Sequence, residues 1–166
     1  MQVIGAPGQG FAALAAGFNL ERILLAAAVL GASQFCLATA VAHACERRVF
    51  NDLPIGAYQA IQHPLAAVRI RLEALELMIA RAARAFGDGA PAKDVEFLAN
   101  SCTDLAYEIG TRAVDSAMQT LGGAGFDERN GLVQMWECIR LLRLSPISNE
   151  LILNRVGSQI LGLPRT

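Results

Sequence analysis

Residues 23–42 read ILLAAAVLGASQFCLATAVA, roughly the 20 residues that a bilayer-spanning helix needs. The apolarity is mostly alanine, Ser33, Gln34 and Thr39 interrupt it, and ionisable groups flank it at Arg22 and His43. Such a segment predicts a helix buried inside a bundle rather than a membrane span. No proline interrupts residues 11–47, so the helix extends over that whole stretch, roughly 55 Å at 1.5 Å per residue. Ahead of it, Gly5, Pro7, Gly8 and Gly10 make residues 1–10 a lead-in loop. That opening has no charged region before an apolar run, so no signal peptide is visible.

Downstream, the run Asn51-Asp52-Leu53-Pro54-Ile55-Gly56 breaks the helix. A second helix is expected over 57–86, with Leu65, Val68, Leu72, Leu75, Ile79, Ala82 and Phe86 recurring at three and four. Its far side carries Arg69, Glu73, Glu76 and Arg84, so it is half solvated or faces another subunit. Residues 87–91 make a turn, and Pro91 suits the start of a third helix reaching Leu121. There Val95, Leu98, Cys102, Leu105, Ile109, Ala113 and Ala117 form one stripe, and Gly122, Gly123 and Gly125 end the helix. Two shorter helices follow over 132–144 and 149–161, divided by Ser145-Pro146. The fold class is all-α: an up-and-down four-helix bundle whose last helix is broken, with no internal repeat.

The composition agrees. At 166 residues, 54% hydrophobic, 17% charged and 6% aromatic, the chain is one domain, neither disordered nor a β-sandwich. With 14 basic residues, of which only Lys93 is a lysine, against 15 acidic ones, there is no basic nucleic-acid face and no polybasic membrane patch. Cys36, Cys45, Cys102 and Cys138 have no CxxC spacing, read as small apolar residues on helices, and place the chain in a reducing, cytoplasmic compartment.

Few residues are arranged for chemistry. A di-metal bundle needs two Glu-x-x-His pairs, whereas the only histidines are His43 and His63, so no metal site is expected. The glycines at 5, 8 and 10 follow no βαβ strand, and no nucleophile triad is legible. What remains is Arg47, Gln59, Gln119 and the Gly122-Gly123 pair at helix ends, able to hold a phosphate or an adenine edge, or else only to cap and solvate the helices. Spacing alone stops there.

Five strings together say more: GAPGQGF at 5–11, FNLERI at 18–23, RRVF followed by PIGAYQAIQHPLA within 47–66, AMQTLGGAGF at 117–126, and ISNELILNRV near the end. In order and spacing the chain resembles the C-terminal helical domain of acyl-CoA dehydrogenases over essentially its whole length. The resemblance implies an FAD-dependent oxidoreductase of acyl-CoA thioesters, built from an N-terminal helical domain, a middle β-domain and this bundle. It also implies an oligomer in which the adenosine end of the FAD reaches a neighbouring subunit's bundle, and an electron-transfer acceptor. On that basis Arg47, Phe50 and Gln59 contact the partner subunit's FAD, Gln119, Gly122 and Gly123 hold its ADP part, and Ser148 and Glu150 take cofactor positions in the last helix. Arg22 lines the substrate channel.

The family's chemistry removes a proton α to a thioester while a hydride leaves the β-carbon. Many members take the base from a Tyr-Glu-Gly-Thr string, but here that segment is Ser145-Pro146-Ile147-Ser148 and the base position holds Pro146. In a second branch, the isovaleryl and long-chain types, the base precedes the arginine of a Glu-Arg-Leu or Glu-Arg-Ile string. Glu21 in Leu20-Glu21-Arg22-Ile23 occupies that place, so the resemblance makes Glu21 the base. Other positions depart from the pattern: the frequent Arg-Asp-x-Arg string reads Glu137-Cys138-Ile139-Arg140, and Asn51 replaces a glycine with one extra residue before Pro54. The 166 residues hold neither the N-terminal nor the middle domain, so the chain is expected to be inactive alone, as a piece of an enzyme, a subunit completed by another chain, or a non-catalytic oligomerisation module.

Overall fold

The computed structural model describes residues 6–145 and 147–164. Residues 1–5 of the expected lead-in, and Pro146, lie outside them. The first helix, α1 (Gly10–Glu46), runs for 37 residues. One stripe of it is buried at helical spacing: Asn19, Ile23, Ala26, Val29, Ser33, Cys36, Ala40 and Ala44. Small residues dominate that stripe, and Ser33 is satisfied there by donating to the Val29 carbonyl at 2.7 Å. The opposite stripe, Gly17, Glu21, Leu24, Ala28, Gly31 and Phe35, is exposed. The expectation of a helix buried within the bundle therefore holds for one face only. Gly17–Glu46 is the one helical stretch among the described residues long and apolar enough to cross a bilayer, with a mean hydropathy of 1.9.

A small hairpin that the sequence reading did not foresee follows. Strand β1 (Arg48–Val49) pairs antiparallel with β2 (Leu53–Pro54), Val49 opposite Leu53. Between them the chain turns through Asn51 and Asp52, at φ 58° and 61°, and the Leu53 N–H donates to the Phe50 carbonyl at 3.3 Å. Positive φ at both central positions is the turn that matches strand twist, and Asn and Asp are the side-chain-bearing residues that tolerate it best. Strands of two residues are too short to carry a readable alternation.

Helix α2 (Gln59–Gly87) returns antiparallel to α1, and α3 (Ala92–Leu121) reverses again. On α2, Leu65, Val68, Leu72, Leu75, Ile79 and Ala82 are buried as expected. Phe86 is not: it is 40% exposed, because it lies in the last turn, level with the still exposed first turn of α3. Leu105 on α3 is likewise only half buried. Helix α3 is the most enclosed element, packing against α1, α2 and both later helices. It therefore buries a second stripe, Ala99, Ala106, Gly110 and Val114, beside the predicted one. A Cβ built on Gly110 would lie 2.6 Å from Val29 Cγ1, which shows how closely α1 and α3 approach.

The chain then returns along α3 in two pieces, α4 (Leu132–Leu142) and α5 (Asn149–Gln159), each ending two residues before the expected boundary. Leu132, Ile139 and Ile152 anchor them. Asn149 Nδ2 donates to Asp104 Oδ1 at 2.8 Å, and Arg155 Nη2 donates to Glu96 Oε2 at 2.8 Å, so α5 is pinned to α3 by polar contacts as well. Cys36 and Cys102 are fully buried, and burial pushes both thiols up to about 11. Cys45 and Cys138 are exposed, which corrects the reading of all four cysteines as apolar packing residues.

Candidate functional site

Two regions carry most of the residues singled out above. The first lies on the outer stripe of α1. Glu21 is its one ionisable side chain, with Gly17 and Leu24 a turn away on either side, all exposed. Neighbouring positions on a helix point about 100° apart, and Arg22 accordingly turns inward. Its Nη1 donates to Asn19 Oδ1 at 3.2 Å, and its Nε is buried without a hydrogen-bond partner. Burial lowers the pKa of Arg22, while the charge of Glu96 works against the shift. Glu21 and Arg22 thus leave the helix in different directions, the carboxylate toward open space and the guanidinium toward α3 and α5.

The second region is at the far end of the bundle. Because α2 reverses direction between them, α1 and α3 run parallel and finish at the same end. Arg47 follows the last residue of α1; its N–H donates to the His43 carbonyl at 2.8 Å, and its own carbonyl accepts from Ile55 at 2.8 Å. Phe50 projects from the hairpin turn, 80% exposed, and Gln59 opens α2 with its side chain in solvent. Gln119 lies in the last turn of α3, exposed, ahead of Gly122 and Gly123. Gly122 has φ 61° and ψ −135°, a backbone conformation essentially confined to glycine. Nothing stands within 4 Å of a Cβ built on Gly123, so the chain there faces open space. Gly125 is different: a Cβ there would lie 2.8 Å from the Met118 carbonyl oxygen, and its role is to let the turn close onto α3.

Gln119 and Gly122 line a cleft of about 520 Å³ between α3 and α4, with Asp115, Phe126, Trp136 and Glu137 among its other walls. The sequence reading passed over Asp115 and Trp136, quoted Phe126 only within the AMQTLGGAGF string and named Glu137 only as a departure from the family pattern. The available signal was aromatic: Trp136, the only tryptophan, falls on the outward side of the short helix α4.

Ser148 and Glu150 stand at the α4–α5 junction, where Leu142 and Ser145 line a small cavity together with Leu25, Ala26 and Val29 of α1. The Ser148 hydroxyl caps α5 by accepting from the Leu151 N–H at 3.4 Å. Arg143 donates to Glu150 Oε1 at 2.7 Å and to the Tyr107 hydroxyl at 3.3 Å, its guanidinium lying 5.0 Å from the Tyr107 ring centre. That hydrogen bond holds the Glu150 carboxyl below its ordinary range.

Residues 8–161 match the family profile described as acyl-CoA dehydrogenase, C-terminal domain. The chain belongs to that family. Among curated relatives, acyl-CoA dehydrogenase FadE12 of Mycobacterium tuberculosis is 40% identical over 164 residues, covering 99% of this chain and 42% of that protein. Among solved structures, butyryl-CoA dehydrogenase of Megasphaera elsdenii superposes with a TM-score of 0.87 at 26% identity, over 95% of this chain and 40% of that one. PigA with FAD and proline does so with a TM-score of 0.88 at 28% identity, over 98% and 41%. This acyl-CoA dehydrogenase domain thus spans about two-fifths of the length of the relatives it matches.

Proposed function

We propose that this domain is the C-terminal part of an enzyme that oxidises an acyl-CoA thioester between its α- and β-carbons with FAD, and that Glu21 is the base. The supporting observation is the position of Glu21, a lone carboxylate on an uncovered apolar stripe of α1. In water a glutamate is too weak a base for an α-proton. Cover by apolar surface disfavours its charged form and raises its pKa toward that task. Gly17, Leu24 and Ala28 leave the carboxylate apolar neighbours on its own helix, so an acyl chain and a further domain laid over this stripe would strip water from it. Bound FAD would supply the acceptor for the hydride from the β-carbon, and an electron-transfer partner would reoxidise it.

The residues at the far end suit the ADP part of such a cofactor. Arg47 and Arg48 bring positive charge, Gln119 an amide, and Gly122 and Gly123 a backbone that a ligand can approach closely. Along α1, Glu21 and Arg47 are separated by roughly 39 Å at 1.5 Å per residue. The base and the nucleotide cradle of one chain therefore serve different active sites, its own and that of a neighbouring subunit. Without the covering domains the domain alone does not catalyse, and its place is a cytoplasmic oligomer.

Glu21→Gln in the assembled enzyme tests the base. The expected result is loss of exchange of the substrate α-proton with solvent, with FAD content unchanged. Exchange continuing at the normal rate would overturn the assignment and favour a bundle that serves assembly alone.

A further inference from the structure

Glu96, in the second turn of α3, is a carboxylate on which cations of two other helices converge. It holds Arg155 of α5 through two contacts, Nη2 to Oε2 at 2.8 Å and Nε to Oε1. Its charge also acts on Arg22 of α1, as do those of Arg155 and of Glu21. Lys93 lines the small cavity between α3 and α5 that Glu96 and Arg155 share, and Glu96 is the one acid on its described walls. Arg22 depends on a nearby anion. Its Nε is buried without a hydrogen-bond partner, and its Nη1 donates at 3.2 Å to the neutral amide of Asn19, itself buried. An enclosed guanidinium is costly unless a negative charge stands close to it. Two carboxylates can meet that need, Glu96 inside the bundle and Glu21 on the outer stripe, and Glu96 has the larger influence.

The choice between them matters for a base. A carboxylate paired with a guanidinium is held in its charged form and takes up a proton less readily. Neighbouring helical positions point about 100° apart, yet an arginine side chain is long enough to swing across that angle. We propose that Glu96 is a positioning residue for the reaction: by holding the Arg22 guanidinium inside the bundle, it keeps Glu21 unpaired. Without Glu96, Arg22 faces the like charge of Arg155 and has Glu21 as its remaining carboxylate. The role of Glu96 rests on Glu21 being the base.

The experiment follows the pH profile of kcat/KM in the assembled enzyme, with a saturated acyl-CoA as substrate and bound FAD as the measure of assembly. The acid limb of that profile reports the base of the free enzyme. Glu96→Gln should move the limb to lower pH by about one unit, the effect of a new opposite charge, and lower the turnover on the plateau several-fold, with KM unchanged. Glu96→Asp should move it less in the same direction, and supplies the reading if the glutamine variant does not assemble. Adding Arg22→Met to Glu96→Gln should return the limb to its original position, because the competing cation is then gone. Arg155→Met unfastens α5 but leaves Arg22 its counter-ion, so the limb should stay in place. A limb unmoved by Glu96→Gln, or moved equally by Arg155→Met, would overturn the role of Glu96 and reduce it to fastening α5. A rise in KM with the limb unmoved would overturn it in favour of Arg22 serving the substrate. The base reading is judged separately, since it fails only if Glu21→Gln retains α-proton exchange.

Discussion

Gly110 sits at a tight contact between α1 and α3, and its missing side chain is what permits the approach. A methyl group there would meet Val29 Cγ1 at 2.6 Å and both Ser33 Oγ and Ile139 Cγ2 at 3.3 Å, three walls belonging to two helices. Gly110→Ala should therefore cost about 1–3 kcal/mol of unfolding free energy despite the better helix propensity of alanine, measured by urea denaturation. No gap in the sequence pattern announces this position, because a glycine inside a helical stripe looks like any small residue. The two buried thiols give a second prediction at this scale. Cys36 and Cys102 are pushed from 9.0 up to about 11 in the folded chain. Between those values the unfolded chain has released protons that the folded chain retains, so stability is complete below pH 9 and falls as pH rises toward 11. Urea midpoints measured across that window should decline, and the Cys36→Ala/Cys102→Ala double variant should decline less steeply.

At the scale of elements, the long helices were legible because their buried stripes recur at three and four residues over many turns. Leu65 to Ala82 on α2 is the clearest case. The 48–54 hairpin was not legible, since it rests on two positive φ angles rather than on any periodicity. The elbow between α4 and α5 was read correctly as a break, but its fastening was invisible in sequence. Arg143 bridges Tyr107, 36 positions away in the chain, to Glu150, while Asn149 reaches back to Asp104. Arg143→Met keeps the length of the side chain and removes its donors. Amide hydrogen exchange at Leu151 and Ile152 should accelerate in this variant, while exchange in the α2 core at Leu72 and Leu75 should not change.

For the molecule as a whole, the apolar excess of the sequence resolves into one shared core and one uncovered face of α1. The ambiguity of residues 23–42 arose from that division, since a helix buried on one side and apolar on its exposed side is as apolar all round as a membrane span. The candidate site was legible as a set of positions, through the LERI string and the QTLGG element. Its division into two ends was not, because that depends on α1 and α3 running parallel over their full length.

The central claim, that the two ends of one bundle serve two different active sites, is open to a complementation measurement. Glu21→Gln removes the proposed base, and Gly123→Trp places a bulky ring beside the α3 terminus, where an added Cβ meets nothing within 4 Å. Each variant alone should form inactive assembled enzyme. Mixed oligomers carrying one lesion on each subunit should regain up to about half of the normal turnover, because one of the paired sites then receives an intact base from one chain and an intact nucleotide cradle from the other. Mixed oligomers as inactive as their parents would contradict the claim and place both ends in a single active site.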